Sequence, residues 1–333
     1  MPEQPLISII IPSYTIRRLS DILDLLNSIR SQTYPHIETI VVIERSIMLL
    51  KKVKDYARKN GGSTLKIVFN DKPGATSARN SGVSQATGEY LAFIDDDAVL
   101  SPDWAAKLAK TYRDMSIVGV TGPILPLWED GSKSWFPGEF DWVIGCSRWT
   151  KSDRITEIRS VLGTNTSFRK EALKLAGLYS LALGARKSEQ GEWGVIAEET
   201  ELSMRVKQKT GGRIVYNPGL TVYHHVAPYK LRSGFIAQRS YQVGRTRRMI
   251  KSLGRRTGND TDILYTEHEL LKRILTRLIP GTLFGFFRSP ANAWRRLSVM
   301  VLALFFVTLG YISYFFSPAD THPKILVEPK GVE

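Results

Sequence analysis

The stretch Gly88–Trp104, "GEYLAFIDDDAVLSPDW", decides how the rest of the chain is read. An apolar run, Tyr90 to Ile94, ends abruptly in three aspartates, Asp95, Asp96 and Asp97. A helix start follows at Ser101-Pro102-Asp103. A short apolar run rich in strand formers, closed by charge and followed by a helix, predicts a buried strand feeding a crossover. The three carboxylates would then lie at the carboxyl end of that strand. In extended chain, side chains alternate, so Asp95 and Asp97 are expected on one face and Asp96 on the other.

Working outward, the same alternation recurs. Leu6–Ile11 is a β-branched apolar run, followed by a helical stripe of Ile22, Leu23, Leu25, Leu26 and Ile29 with Ser20 as the expected N-cap. Ile37–Glu44 reads as a second strand, Val53–Lys59 as a helix closed by Gly61-Gly62, and "TLKIVFN" as a third strand. "GATSARNSGVSQATG" is expected to hold a short helix, and Pro102–Tyr112 another. Later come helices at Lys170–Ala176 and Leu202–Lys209, then extended segments "RIVYN" and "LTVYHH". Strands alternating with helices predict an α/β fold with a mostly parallel sheet flanked by helices. Such sheets bind ligands at the carboxyl ends of their strands, where Glu44 and Asp95–Asp97 both fall.

The bulk composition sets limits. At 43% apolar and 23% charged, the 333 residues are those of a folded chain. A single cysteine, Cys146, excludes an intrachain disulfide framework and any multi-cysteine metal site. The N-terminus "MPEQPLISIIIPSY" lacks a basic leader and reads as a strand, not a signal peptide.

The formal charge of +14 is uneven. Residues 231–300 hold 14 Lys and Arg against 4 Asp and Glu, a local excess of 14 − 4 = +10. Directly behind it, Leu297–Phe316 is 20 residues without a formal charge. As a helix that run is about 30 Å long, the thickness of a bilayer core. Arg295 and Arg296 precede it, and Tyr311 and Tyr314 lie toward its far end. A single transmembrane helix is expected, with the large N-terminal part on the cytoplasmic side of the cell membrane and anionic lipid attracted to the basic flank. Charge so concentrated beside an apolar segment argues against nucleic acid as the partner. Residues 271–287 are too interrupted to span and are expected to lie in the interface. The expected layout is a catalytic domain over 1–230, a basic amphipathic juxtamembrane region over 231–290, a membrane helix region over 291–316 and a short tail over 317–333.

Carboxylates at i and i+2 on a strand end can share one hard divalent cation, Mg2+ or Mn2+, whose shell phosphate oxygens and water complete. A pyrophosphate-containing substrate is the natural partner. An isolated Asp-Asp-Asp is equally well explained as a solvated acidic loop.

Five ordered segments remove that ambiguity: "ISIIIPSY", "GATSARNSG", "FIDDDAVLSPDW", "GTNTSFRKEAL" and "AEETELSMRVKQKTGGRIVYNPGLTVYHH". Over residues 5–228 the chain resembles the family 2 inverting glycosyltransferases of GT-A fold. The resemblance implies the following roles. Asp97 would be the metal ligand, Asp95 would contact the ribose or assist the metal, and Asp96, on the nucleotide side, would act as spacer between them. Arg79 would lie near the base or phosphate of the nucleotide, with Asn80 and Gly82 shaping that wall. Pro12 and Tyr14 would line the base pocket. Glu44, in "VIERS", stands where the family commonly has Asp-Asp-Gly-Ser, a departure at the base contact. His224, or adjacent His225, would be a further metal or diphosphate ligand. Glu199 would be the catalytic base, usually Asp in the family, with Glu198 the acid before it. Glu198, Glu199 and Glu201 also suit the positive end of a helix dipole.

The layout resembles the prokaryotic, notably archaeal, branch that extends polyprenyl- or dolichyl-phosphate-linked glycans, including glucuronosyltransferases. That implies a nucleotide-diphosphate sugar donor, UDP-linked, and a lipid-linked acceptor, whose phosphate Arg239, Tyr241, Arg245, Arg247 and Arg248 could bind. A polyprenyl-phosphate monosaccharide synthase or a polysaccharide-chain glycosyltransferase is the enzyme alternative, and a silent membrane-anchored nucleotide-sugar binder the alternative from another class. Trp128, Trp135, Trp142, Trp149 and Trp193 are candidates for sugar stacking or for core.

Overall fold

A computed structural model describes residues 4–60, 64–131, 133–147, 153–184, 196–256 and 265–316. The expected tail 317–333, Trp149 and Trp193 lie outside them. By contacts the chain divides into two compact units. One comprises Met1–Leu125, Thr150–Gly194 and Glu198–His225; the other comprises Pro126–Trp149, Val195–Ala197 and Val226–Glu333.

The strands are β1 (Ile7–Ser13), β2 (Ile37–Glu44), β3 (Leu65–Asn70), β4 (Tyr90–Phe93), β5 (Ala98–Leu100), β6 (Ile117–Thr121), β7 (Ile124–Trp128), β8 (Thr156–Glu157), β9 (Thr166–Arg169), β10 (Arg213–Tyr216) and β11 (Val222–Val226). The helices are α1 (Leu19–Arg30), α2 (Ile47–Asn60), α3 (Ala75–Gln85), α4 (Trp104–Thr111), α5 (Lys170–Ala176), α6 (Glu198–Thr210), α7 (Ser233–Arg256), α8 (Tyr265–Arg273), α9 (Ile279–Gly285) and α10 (Pro290–Ser313). Eight strands form the main sheet of the first unit in the order β3-β2-β1-β4-β9-β6-β10-β8. The pairs β3–β2, β2–β1, β1–β4 and β6–β10 are parallel, whereas β9 runs against β4 and β6.

Alternation within β1 sorts its side chains between two cores. Ile7, Ile9 and Ile11 join Ile22, Leu25, Val53 and Trp104 on one face. Ile10 joins Val42, Ala78, Phe168 and Leu202 on the other. Helices therefore cover both faces, as a continuous apolar strand requires. Each fully buried Ile or Leu contributes about 1.5–3 kcal/mol. Gly82 makes the α3 side possible, because a Cβ there would stand 2.3 Å from Ile10 Cγ2. The parallel register brings the ends of β1, β2, β3 and β4 to one edge, with Ser13 beside Ile43 and Glu44 beside Asn70.

Two local expectations change. A 3-10 turn over Ile16–Arg18 runs directly into α1, so Arg18 occupies the N-cap position and Thr15, not Ser20, caps the approach by accepting from Arg17 N. The strand before the aspartates stops at Phe93, and Asp96-Asp97 lie in a turn before β5. The strand alternation invoked for Asp95 and Asp97 therefore does not extend to them.

In the second unit α7 packs along α10. The contact is close at two glycines: a Cβ on Gly310 would lie 2.0 Å from the Tyr241 carbonyl oxygen, and one on Gly244 2.1 Å from that of Val307. Arg248 lies over Phe315, 3.6 Å from the ring centre, and Arg245 over Tyr314. α8 and α9 are joined by a π-helical turn, Ile274–Leu278. Pro280, just beyond it, has no N–H to continue the regular ladder. Among the described residues α10 alone is long and apolar enough to cross a membrane. One face of it, Val301, Phe305, Leu309, Ile312, is exposed.

Candidate active site

The three aspartates share a turn but not a direction. Asp95 accepts from Arg79 Nη2 at 3.1 Å, and its backbone N–H donates to Thr164 Oγ1 at 2.9 Å. Asp96 accepts from the Ser13 hydroxyl at the end of β1. Asp97 Oδ2 meets Arg18 Nη1 at 2.8 Å and His224 Nε2 at 3.2 Å. Asp96 is therefore no outward spacer; it is 7% exposed. Burial, then the neighbouring Asp97 charge, pushes its carboxyl up to about 7.

The choice between the two histidines follows from sheet pairing. β11 runs antiparallel to β5, and His224 stands opposite Ala98, one residue beyond Asp97. Its side chain is buried against Asp97, while alternation sends His225 the other way, with Nε2 3.7 Å from Asp24 of α1. The His225 backbone N–H donates to the Asp97 carbonyl at 2.8 Å.

Arg79 links the aspartates to the acidic helix start. It sits in α3 and is 4% exposed. Its Nη1 lies 3.0 Å from Glu199 Oε1 and 3.5 Å from Glu198 Oε1, while Nη2 holds Asp95. Nη1 forms ion-pair contacts there but no aligned hydrogen bond. The Tyr179 ring closes the other side, its centre 5.3 Å from the guanidinium carbon. Asn80 fixes that ring's backbone from both sides, donating to Tyr179 O and accepting from Tyr179 N. Burial, then Glu198, raises the Glu199 carboxyl to about 7 against the opposing pull of Arg79. The three carboxylates in turn raise the already high pKa of Arg79 despite its burial.

The acids at the start of α6 have separate partners. Glu201 is wholly buried and bidentate to Arg205, 2.7 Å at each oxygen. Arg205 also donates to the Ala176 and Leu178 carbonyls, which makes Glu201 a structural acid tying α6 to α5. Glu198 and Glu199 face Arg79 instead.

Pro12, half-buried, is the last but one residue of β1; Tyr14, 65% exposed, follows the strand; Glu44, half-buried, ends β2. All three lie at the sheet edge that carries the aspartates. Among the described residues no group of three or more metal-ligating side chains occurs. Asp97 and His224 supply one carboxylate oxygen and one imidazole nitrogen side by side. That pair fits a Mg2+ or Mn2+ site of the kind completed by substrate phosphate and water.

Sequence reasoning missed Arg18, Ser13, Thr164 and Tyr179. Thr164 lies in "GTNTSFRKEAL", a segment already marked by its motif. Arg18 carried no local signal, since only the turn after β1 brings it to Asp97.

A parallel sheet with Asp95–Asp97, Arg79, Glu199 and His224 gathered at its carboxyl edge defines a nucleotide-sugar transferase fold of GT-A type. Residues 8–175, half of the chain, match the family described as Glycosyl transferase family 2. The chain belongs to this family and is a glycosyltransferase. It is 27% identical over 276 residues to the glucosyl-dolichyl phosphate glucuronosyltransferase of Haloferax volcanii, covering 82% of this chain and 85% of that one. It is 28% identical over 171 residues to the succinoglycan biosynthesis protein ExoM of Rhizobium meliloti, covering 51% and 50%. Among solved structures it resembles the mannosyltransferase PcManGT from Pyrobaculum calidifontis, determined with GDP-Man and Mn2+. The TM-score is 0.58 at 18% identity, over 96% of this chain and 83% of that one, a likeness of fold.

Proposed function

We propose that this glycosyltransferase moves a hexose or hexuronic acid from a UDP-linked donor to a polyprenyl- or dolichyl-phosphate-linked glycan, with inversion in a single displacement. One observation carries the reading. Glu199, half-buried and with its carboxyl raised to about 7, shares Arg79 with Asp95, so acid chemistry and donor side are coupled through one cation. Glu199 takes the proton from the acceptor hydroxyl as that oxygen attacks the anomeric carbon opposite the leaving diphosphate. A well-placed base contributes about 10²–10⁴-fold. Arg79 keeps Glu199 in place and Glu198 beside it keeps its basicity up. Asp97 and His224 would hold a divalent cation, which when bound stabilises charge on the departing diphosphate. The Haloferax relative, a glucosyl-dolichyl phosphate glucuronosyltransferase, supports the lipid-linked acceptor.

Transfer from a panel of nucleotide sugars, with Mn2+ and a lipid-linked acceptor, tests this. Wild type should turn over one donor, and Asp97→Ala and Glu199→Gln should not. A mild effect of Glu199→Gln would instead favour a polyprenyl-phosphate monosaccharide synthase, whose acceptor phosphate needs little base assistance. No metal-dependent turnover with any donor would leave the silent binder.

For the membrane, the reading is a single span by α10 with the N-terminal part cytoplasmic. A second reading is favoured by the packing of α7: its arginines Arg245 and Arg248 meet the far end of α10, at Tyr314 and Phe315. Arginine at the far interface is costly to deliver across a bilayer, whereas a helix pair lying in the headgroup layer keeps it wet. Protease access to a tag after residue 333 in right-side-in vesicles separates the two.

A further inference from the structure

Within the second unit, the junction of α9 and α10 and the segment around Trp135 line a half-open cavity of about 200 Å³. Its walls include Trp135, Thr282, Arg288, Ser289, Asn292 and Arg296, and no acidic residue. None of these belongs to the catalytic cluster around Arg79.

Thr282 shows what the cavity lacks. A helical threonine can donate its hydroxyl to the carbonyl four residues back. Thr210, Thr276 and Thr308 do so, to Val206, Lys272 and Leu304, at 2.7, 2.8 and 2.9 Å. Thr282 is 2% exposed, and its hydroxyl has no partner. A buried hydroxyl left unbonded in a polar cavity is a donor awaiting an acceptor.

The groups around it want an anion. α10, 24 residues long, begins with no side-chain cap and no acid in its first turn. Pro290 brings no N–H and Ala293 N–H donates to Ser289 O, so Ala291 and Asn292 supply the N–H groups at the positive end of its dipole. Arg296 donates Nε to Trp135 O at 2.7 Å and Nη2 to Ser134 O at 3.0 Å. Those bonds set the plane of the guanidinium and use two of its five N–H donors. Arg288 is exposed at the rim.

The outer surface of the same segment is apolar. Phe284, Phe287 and Trp294 are 74, 89 and 64% exposed. A site for a free anion gains nothing from three exposed aromatic rings, whereas a phosphate carried on a hydrocarbon chain uses both features.

We propose that this cavity binds the phosphate group of a membrane lipid. Thr282, Arg288, Arg296 and the start of α10 take the phosphate oxygens, and Phe284, Phe287 and Trp294 take the adjoining hydrocarbon. The ligand chemistry is a phosphate ester on an apolar chain, supplied by a phospholipid diester or a polyprenyl monophosphate. The site stands independently of the transfer reaction.

The test uses the full chain in non-ionic detergent. Dihexanoyl phosphatidylglycerol, a short polyprenyl monophosphate and inorganic phosphate are titrated separately and read by calorimetry and native mass spectrometry. One lipid per chain is expected, bound more tightly than inorganic phosphate. Thr282→Val and Arg288→Gln should each weaken it about ten- to a hundredfold, the size of a lost hydrogen bond to a charged group. Arg277→Gln, an exposed arginine outside the cavity, should leave it unchanged. Preference for the monoester would identify an acceptor-type lipid, and preference for the diester a structural one; both support the site. Lipid binding equal in wild type, Thr282→Val and Arg288→Gln would overturn it, as would inorganic phosphate binding as tightly as either lipid. Arg288 is exposed, so its variant carries the test if Thr282→Val fails to fold. Binding retained in Asp97→Ala, with donor turnover lost, keeps this site and the catalytic reading separable.

Discussion

The two units break the usual rule of folding in opposite senses. In the first, charge is inside: Arg79, Glu198, Asp96 and Asp97 are each less than 8% exposed. In the second, apolar surface is outside: Phe284, Phe287, Phe305 and Phe316 are each more than 60% exposed. Buried charge and bare hydrocarbon both weaken a chain folded alone in water. Each becomes favourable when something else covers it, and the occupants proposed above are a charged substrate in one unit and a lipid surface in the other. Buried charge alone is no sign of function, however. Glu38, also buried, accepts from Ser8, Thr87, Gly88 and Lys66 within the same unit. The Arg79 cluster differs in that Glu198 Oε2 and Arg79 Nε remain without hydrogen bonds.

That contrast can be broken most severely at Glu199. Glu199→Gln should lower kcat by about 10²–10⁴-fold while the melting temperature holds or rises, because one of two crowded carboxylates, Glu198 and Glu199, has been neutralised. Equal loss of stability would make Glu199 structural. In wild type, kcat should rise with pH through the neutral range, since the raised carboxyl must lose its proton to act as base. A profile already flat above pH 5 would contradict that burial.

Arg79→Met comes next. It strands Asp95, Glu198 and Glu199 without their shared cation, and breaking such a buried pair costs about 3–5 kcal/mol. Urea unfolding of the purified protein would measure it. A loss below about 1 kcal/mol would mean the carboxylates reach water, on the scale of exposed pairs.

In the second unit, Phe284→Ser with Phe287→Ser should abolish most binding to anionic vesicles. Each ring moved from lipid to water forfeits roughly 1.5–3 kcal/mol. Stability should change by no more than about 0.5 kcal/mol per site, as for other exposed positions. Unchanged flotation with liposomes would show that those rings face something other than lipid.

The smallest effect sharpens the contrast within the first unit. Glu38→Gln should leave kcat untouched and cost about 1–3 kcal/mol, as partners of a buried carboxylate lose their acceptor. Burial alone would raise the Glu38 carboxyl, but Lys66, Ser8 and Thr87 prevail and hold it at about 2. With the folded value depressed from 4.5, its stabilisation is present above that pH and lost as pH falls toward 2. The variant's acid-unfolding curve should lack that component.

The strands and helices were legible because their signals are local. β2 and α5 match the expected Ile37–Glu44 and Lys170–Ala176 at both ends. α6 began earlier than its apolar stripe, at Glu198, because its acidic first turn is buried against Arg79 and Arg205 and carries no hydrophobic periodicity. The directions of the aspartates were not legible, since they depend on where β4 stops and the turn begins.

By itself the sequence determined the alternation of strand and helix, the carboxyl edge as the place for chemistry, and an apolar C-terminal helix behind a basic flank. These follow from periodicity and composition, which act within a few residues. Tertiary structure alone decided that Arg79 gathers Asp95, Glu198 and Glu199, that the His224 imidazole meets the Asp97 carboxylate while that of His225 turns to Asp24, that Arg18 joins them, and that α7 lies along α10. Those contacts join residues far apart in the chain, and only sheet register and helix packing bring them within the few ångströms over which charge and hydrogen bonds act.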